Sequence, residues 1–197
     1  MARSRDLAGN QARISHAVWS LLAERGPDGL TMRAVAERAQ CTTGLLFSTY
    51  AGKRDLLAHA RRLLHERTRV RMDRLEADAP GADGALREIL VHALPLDDER
   101  REEARVWLAY AAAALGDDAL ADLHREYNRA MLTRVRRLVG EARPHASGEA
   151  AEATAVALVG LIEGLGALAA VDPERYTPDV QLAALDAALR AELDRLD

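Results

Sequence analysis

The chain has 197 residues, with one cysteine, one lysine among 27 basic residues, and aromatic side chains at only 4% of positions. A lone cysteine excludes an internal disulfide. Scarce aromatics beside 49% hydrophobic residues, mostly Ala and Leu, turn the composition away from strands and toward helices. Catalytic patterns are missing too. The six histidines form no H-x-x-x-H pair and stand by no cysteine, and neither a G-x-S-x-G elbow nor a phosphate-cradling glycine loop occurs. These absences speak against an enzyme, a metal centre or a bound cofactor. Residues 1–20 are polar and charged rather than basic and then apolar, so no signal peptide is expected and the cytoplasm is the expected compartment. The run Ala155–Val171, interrupted by Glu163, is short and glycine-rich for a membrane span, and a buried helix is expected there.

Charge is divided along the chain. Residues 1–74 hold 14 Arg and Lys against 7 Asp and Glu, a balance of +7, whereas residues 75–197 hold 13 against 24, or −11. A basic first part is the footprint of a surface that neutralises phosphates, and an acidic remainder is kept off a polyanion. Charge blocks on solvated helix faces would give the same count.

Periodicity places the elements. Ile14, Val18, Leu21 and Leu22 recur on one helical face, which Gly26 and Pro27 end. Thr31 can cap a short helix whose apolar face is Met32, Val35, Ala36 and Ala39. A third helix begins at Thr42 or Thr43 and carries Leu46 and Tyr50 inward. A long arginine-rich helix follows from Lys53 to about Ala77 and closes at Pro80-Gly81. Further helices are expected at about 82–94, 98–115, 118–141, 149–171 and 178–195, which makes an all-α protein of about nine helices. The acidic cluster Asp97, Asp98 and Glu99 marks a helix start rather than a metal site.

Two short helices, Thr31–Ala39 and Thr43–Tyr50, joined by the tight turn Gln40-Cys41, have the dimensions of a helix-turn-helix. The stretch GLTMRAVAERAQCTTGLLFSTYAGKRDLL, Gly29 to Leu57, resembles the TetR family of transcriptional repressors. The resemblance implies that the third helix enters the DNA major groove and that the lysine opening the fourth helix meets a phosphate. Carried over by position, Thr31 and Arg33 touch the DNA backbone. Thr42, Thr43, Leu45 and Ser48 face the groove, Thr49 and Lys53 bind phosphate, and Leu46 and Tyr50 are core. Lys53 at a helix N-terminus adds a point charge to exposed N–H groups and a positive dipole end.

Departures from the family pattern are specific. Phe47 stands for the usual tyrosine and lacks a hydroxyl able to bond phosphate, and Thr49 replaces a longer His or Tyr, so weaker binding per half-site is expected. Gln40 replaces the turn glycine, where a left-handed conformation costs a non-glycine residue about 1 kcal/mol. Cys41 replaces valine and needs no role beyond that of a small apolar residue.

The stretches Leu94–Arg129 and Leu158–Leu189 resemble the ligand-binding and dimerisation region of the branch that includes the choline-responsive repressor of betaine synthesis. Domains are therefore expected at 1–54, for DNA, and 55–197, for ligand and dimerisation. From the residues, Leu182, Leu185, Leu189 and Leu193 form one stripe, and Gly160, Gly164 and Ala167 share a face that permits close helix approach. Such helices can build a four-helix interface between two copies, or an intrachain core. A homodimer presents two recognition helices about 34–36 Å apart, one DNA turn, and reads a near-palindromic operator. For a pocket, Trp107 and Tyr110 share a face, as do His124, Tyr127 and Met131, and Glu163 lies in an apolar helix. The expected effector is a largely apolar small molecule, and an organic cation is one candidate, since a carboxylate near aromatic faces can hold one. Core aromatics and an ion-paired glutamate are the plainer account of the same residues. The function expected is that of a ligand-responsive regulator of transcription, with an all-helical binding or interaction protein that retains a vestigial helix-turn-helix as the rival.

Overall fold

The computed structural model describes the backbone of residues 2–197 and the side chains of residues 9–197; Met1, where the expected first domain begins, lies outside them. Nine helices and no strand make up the described residues: α1 (Ala2–Gly29), α2 (Met32–Arg38), α3 (Thr43–Phe47), α4 (Lys53–Asp78), α5 (Ala82–Ala93), α6 (Asp98–Ala114), α7 (Asp118–Ala142), α8 (Gly148–Val171) and α9 (Pro178–Asp194). Short side-chain caps set several starts. Thr31, Thr42, Ser147 and Thr177 each accept a backbone N–H three residues on, supplying one of the bonds a helix N-terminus lacks. Gly26 breaks α1 with φ 66°, a conformation glycine adopts without steric penalty.

The chain packs as two compact units, one of residues up to Glu66 with Arg105–His124, the other of Arg67–Ala104 with Arg125–Asp197. Packing thus groups the chain differently from a division at 54/55. Leu56, Leu57, Ala60 and Leu64 of α4 join the first core, together with Val106 and Tyr110 of α6 and Leu120 of α7. The rest of that core comes from α1 (Ile14, Val18, Leu21, Leu22), α2 (Val35, Ala36), α3 (Leu46) and the linker residues Leu30 and Tyr50. Burial of each such leucine contributes roughly 1.5–3 kcal/mol. Polar ties add direction. Arg38 of α2 grips Glu24 of α1 with two bonds of 2.8 and 2.9 Å and also donates to Ser20 Oγ. Ser15 Oγ lies 2.9 Å from His59 Nε2, beside the ring of Tyr50.

The second unit is built on α5, α8 and α9, with Leu86, Ile89, Leu90, Leu158, Ile162 and Leu165 at its centre and Val135 and Leu138 of α7 packed against them. Leu185, Leu189 and Leu193, expected at a dimer interface, are buried in this same core. A 3–4 spaced leucine stripe covers whichever apolar surface is nearest, and here α5 and α8 of the same chain supply it. Leu182 is half-buried. By length and composition α8 is the one described helix apolar enough to cross a membrane, and at 24 residues it exceeds the run expected from sequence. Eight of its residues, among them Leu158, Ile162 and Leu165, are buried within the unit, as in a core helix.

A charged cluster closes one side of this unit. Glu103 of α6, 7% exposed, is bonded by Arg71 of α4, while Arg67 and Glu99 complete the network. His92 at the end of α5 faces the charges of Arg71, Arg100, Asp97 and Glu99. Burial first, and the two arginines second, push its pKa down to about 4. An imidazole held neutral in the fold but titrating near 6.5 when unfolded contributes stability that is complete above pH 6.5 and lost progressively as pH falls toward 4. The melting temperature should therefore drop across pH 6.5 to 4, and His92→Gln should flatten that drop. Comparing the two proteins cancels the opposite contribution of Glu103, whose carboxyl burial pushes up despite Arg71. Equal pH profiles would remove His92 from the account.

Candidate nucleic-acid interface

The turn between α2 and α3 sets the direction of α3. Gln40 adopts φ 53°, the left-handed conformation expected where glycine is usual. Around it, Gln40 N–H donates to Glu37 O at 3.2 Å and Cys41 N–H to Ala36 O at 2.9 Å, the pair of bonds that closes a helix and redirects the chain. Cys41 is half-buried against the first core. Thr42 then caps α3, its Oγ1 accepting Leu45 N–H at 3.2 Å, and Ser48 Oγ donates to Leu45 O at 2.7 Å.

α3 has five residues, of which only Leu46 is buried. With Leu46 and Tyr50 held in the core, Thr43, Gly44, Phe47 and Ser48 stand exposed and Leu45 is half-buried. Thr31, Arg33, Thr42 and Thr49 are exposed as well, so every residue nominated for DNA contact except Leu45 is open to solvent in this unit. Thr31 and Thr42 are already engaged as acceptors in caps, which leaves their hydroxyl protons for an outside oxygen such as phosphate. Ser48, a donor to its own helix, retains acceptor capacity.

Lys53 is the first residue of α4 and is solvent-exposed. Its Nζ lies 3.8 Å from Asp28, a fully exposed carboxylate, and such a surface pair contributes little. Its neighbour Arg54 differs. Arg54 Nε bonds Asp117 at 2.6 Å, and Asp117 also accepts Ala119 N–H and Leu120 N–H at the start of α7. These bonds hold the Asp117 carboxyl below its usual pKa against its own desolvation. Of the two cations opening α4, Lys53 is held only by its 3.8 Å pair with Asp28, whereas Arg54 is anchored on Asp117 through Nε.

Gly44 escaped the sequence reading. A Cβ built on Gly44 would meet only Thr42 Oγ1, at 3.9 Å, so nothing inside the chain requires glycine there. Helical glycine is less favourable than alanine by about 1 kcal/mol. If α3 lies against DNA, the missing side chain leaves room for a close approach. Gly44→Ala should raise stability by up to about 1 kcal/mol in denaturant titration while weakening DNA binding about tenfold through overpacking. A variant that gained stability and kept full affinity would refute that account. Phe47, read from sequence as a tyrosine without its hydroxyl, is 57% exposed.

The nominated pocket residues are divided between the units. Within the first, the rings of Trp107 and Tyr110 lie 5.8 and 5.9 Å from that of His124. Tyr110 is fully buried with its hydroxyl donating to Leu120 O at 2.7 Å, and buried Arg61 places its guanidinium 6.0 Å from the Tyr110 ring. Tyr110 is thus core, and the cation beside these rings is the protein's own. Tyr127, Met131 and Glu163 belong to the second unit, where Met131 packs on the core and Glu163 is half-buried in α8. Gly160 and Gly164 are exposed, with open space where a Cβ would stand, and Ala167 is half-buried. The same face of α8 exposes Val156, Leu168 and Val171.

Comparison with known proteins gives two family matches. Residues 14–67 match the bacterial regulatory proteins of the tetR family, and residues 82–194 match the BetI-type transcriptional repressor C-terminal region. The HTH-type transcriptional regulator PksA of Bacillus subtilis is 25% identical over 91% of this chain and 87% of its own. A transcriptional regulator from Rhodococcus superposes with TM-score 0.85 at 28% identity, covering 93% of this chain and 95% of its own. A regulator from Saccharomonospora viridis in complex with choline superposes with TM-score 0.82 at 20% identity, covering 96% and 97%, a likeness of fold alone.

Proposed function

Because the chain belongs to the TetR family of transcriptional regulators, we propose that it is a ligand-responsive repressor that binds a near-palindromic operator as a homodimer. The observation that carries this reading is the exposed face Thr43, Gly44, Phe47 and Ser48, set on a core through Leu46 and Tyr50 beside the exposed Lys53. In it, Thr42, Thr43, Leu45 and Ser48 meet the major groove, Thr31 and Arg33 the backbone, and Thr49 and Lys53 phosphates. Residues 1–54 serve DNA binding and 55–197 ligand binding and dimerisation.

The second copy docks on the exposed small and apolar residues of α8 and α9. Val156, Gly160, Gly164, Leu168 and Val171 lie within one stripe of α8, and Val180, Ala183 and Ala187 within one of α9. Absent side chains let two such helix pairs approach closely. This assigns the interface to the small residues and leaves Leu185, Leu189 and Leu193 to the intrachain core.

The effector is a small, largely apolar molecule, and the protein acts in the cytoplasm without a cofactor. Binding in the ligand domain shifts the equilibrium toward a state in which the recognition helices no longer match two half-sites, through its different affinity for the two states. Support for a cationic effector comes from Glu163 and from the choline held by the S. viridis regulator; an unchanged response of Glu163→Gln to every cationic effector would remove it. Selection of bound sequences from a random duplex pool tests the whole reading. It should enrich a palindrome, with Thr43→Ala relaxing one position per half-site. No enrichment at low salt would leave an all-helical binding protein with a vestigial helix-turn-helix.

A further inference from the structure

If α3 enters the major groove, its residue types decide which bases it reads. Guanine and adenine are read there chiefly by arginine, lysine, asparagine and glutamine, whose paired hydrogen-bonding groups match the purine edge. None of these stands on α3, which consists of Thr43, Gly44, Leu45, Leu46 and Phe47. The flanking hydroxyls are partly committed, Thr42 as an acceptor from Leu45 N–H and Ser48 as a donor to Leu45 O. Leu46 turns inward. What α3 presents outward is one threonine, a bare stretch of backbone at Gly44, the edge of Leu45 and the ring of Phe47.

Phe47 is the chain's only phenylalanine and keeps 57% of its surface in water. It lies four residues after Thr43, so ring and threonine methyl share a helix face. The exposed cations Arg33 and Lys53 sit on α2 and α4 rather than on α3. Charge of that kind suits phosphates, which fix register and carry no sequence information. The surface is therefore cationic on neighbouring elements and apolar on the reading helix. In the major groove a base pair offers one apolar group, the 5-methyl of thymine.

Resting on the DNA-binding function above, we propose that α3 reads its half-site by apolar contact with thymine methyl groups, with Phe47 and Thr43 as the methyl-reading surface. The base pairs beneath α3 are then T·A or A·T rather than G·C, and Gly44 lets the backbone come close enough for the ring to reach them.

The test uses the operator selected by the full-length protein, with each thymine replaced in turn by uracil, which removes the methyl and keeps every hydrogen-bonding group. Wild type should bind about fourfold more weakly for each contacted methyl lost. Phe47→Ala should bind thymine and uracil duplexes alike at the positions the ring covers, leaving only the discrimination due to Thr43, and Phe47→Leu should retain part of the ring's share. Because Phe47 is exposed, an unchanged melting temperature of Phe47→Ala separates lost reading from lost folding. An enriched operator insensitive to uracil, or discrimination undiminished at every position in the folded Phe47→Ala variant, overturns this inference and leaves DNA binding standing. Failure to enrich any operator overturns both.

Discussion

Leu46→Ala should lower the stability of the protein by about 3 kcal/mol in denaturant titration and abolish operator binding together with it. α3 is five residues long, far below the length at which a helix holds itself together. Its position depends on one fully buried side chain, Leu46, on the buried ring of Tyr50 just beyond it, and on the Thr42 cap. Truncating Leu46 removes the transfer energy of its side chain and opens a cavity against a core that includes α1 and α4. The contrasting variant is Leu45→Ala. Leu45 is half-buried, so its truncation should cost no more than about 1 kcal/mol while still weakening binding through the groove. If Leu46→Ala loses less stability than Leu45→Ala, the inward and outward faces of α3 are wrongly assigned.

Lys53→Ala should weaken binding to every duplex, matched or scrambled, by roughly tenfold or more at low salt, and should flatten the salt dependence. Each phosphate contact contributes about 0.9 to the slope of log affinity against log salt, so losing one contact per chain in a dimer removes about 1.8. Lys53→Arg should keep most of the affinity, since the charge at the head of α4 is preserved. Arg54→Ala should have the smaller effect on binding because Arg54 is bonded to Asp117. An unchanged slope in Lys53→Ala, or a larger loss in Arg54→Ala, would transfer the phosphate contact away from Lys53. Stability should barely move in Lys53→Ala, since the pair with Asp28 is open to solvent on both sides.

Helix positions were legible because their starts and stops are chemical. Thr31 and Thr42 announce N-termini, and Gly26 and Gly81 take the positive φ that breaks the chain direction; Ser147 and Thr177, which cap α8 and α9, carry the same signal and went unused. The long helix expected from Lys53 to about Ala77 runs to Asp78. The outward face of α3 was equally readable, because burying Leu46 and Tyr50 leaves Thr43 and Ser48 no other direction.

Partners of a helix face were not legible in the same way. The leucines of α9 repeat at the spacing that any apolar neighbour satisfies, and only packing shows that α5 and α8 claim them. The exposed stripe of α8 carries little hydropathy signal, being glycine and alanine with Val156, Leu168 and Val171, and close helix approach at Gly160, Gly164 and Ala167 was the one feature of it the sequence offered. Tyr110 and Trp107 looked alike in sequence, yet the Tyr110 hydroxyl is satisfied inside the core while Trp107 stays half-exposed. Phe47 read as a defective tyrosine until its exposure beside Thr43 and Gly44 gave the ring a surface of its own.

Sequence-selective DNA binding by a pair of chains is tested by sedimentation of the purified protein with the selected operator and with a scrambled duplex of the same composition. Two chains per operator are expected, with the operator preferred over the scrambled duplex by at least about a thousandfold at physiological salt. Equal affinity for both duplexes, or saturation by a single chain, would contradict it.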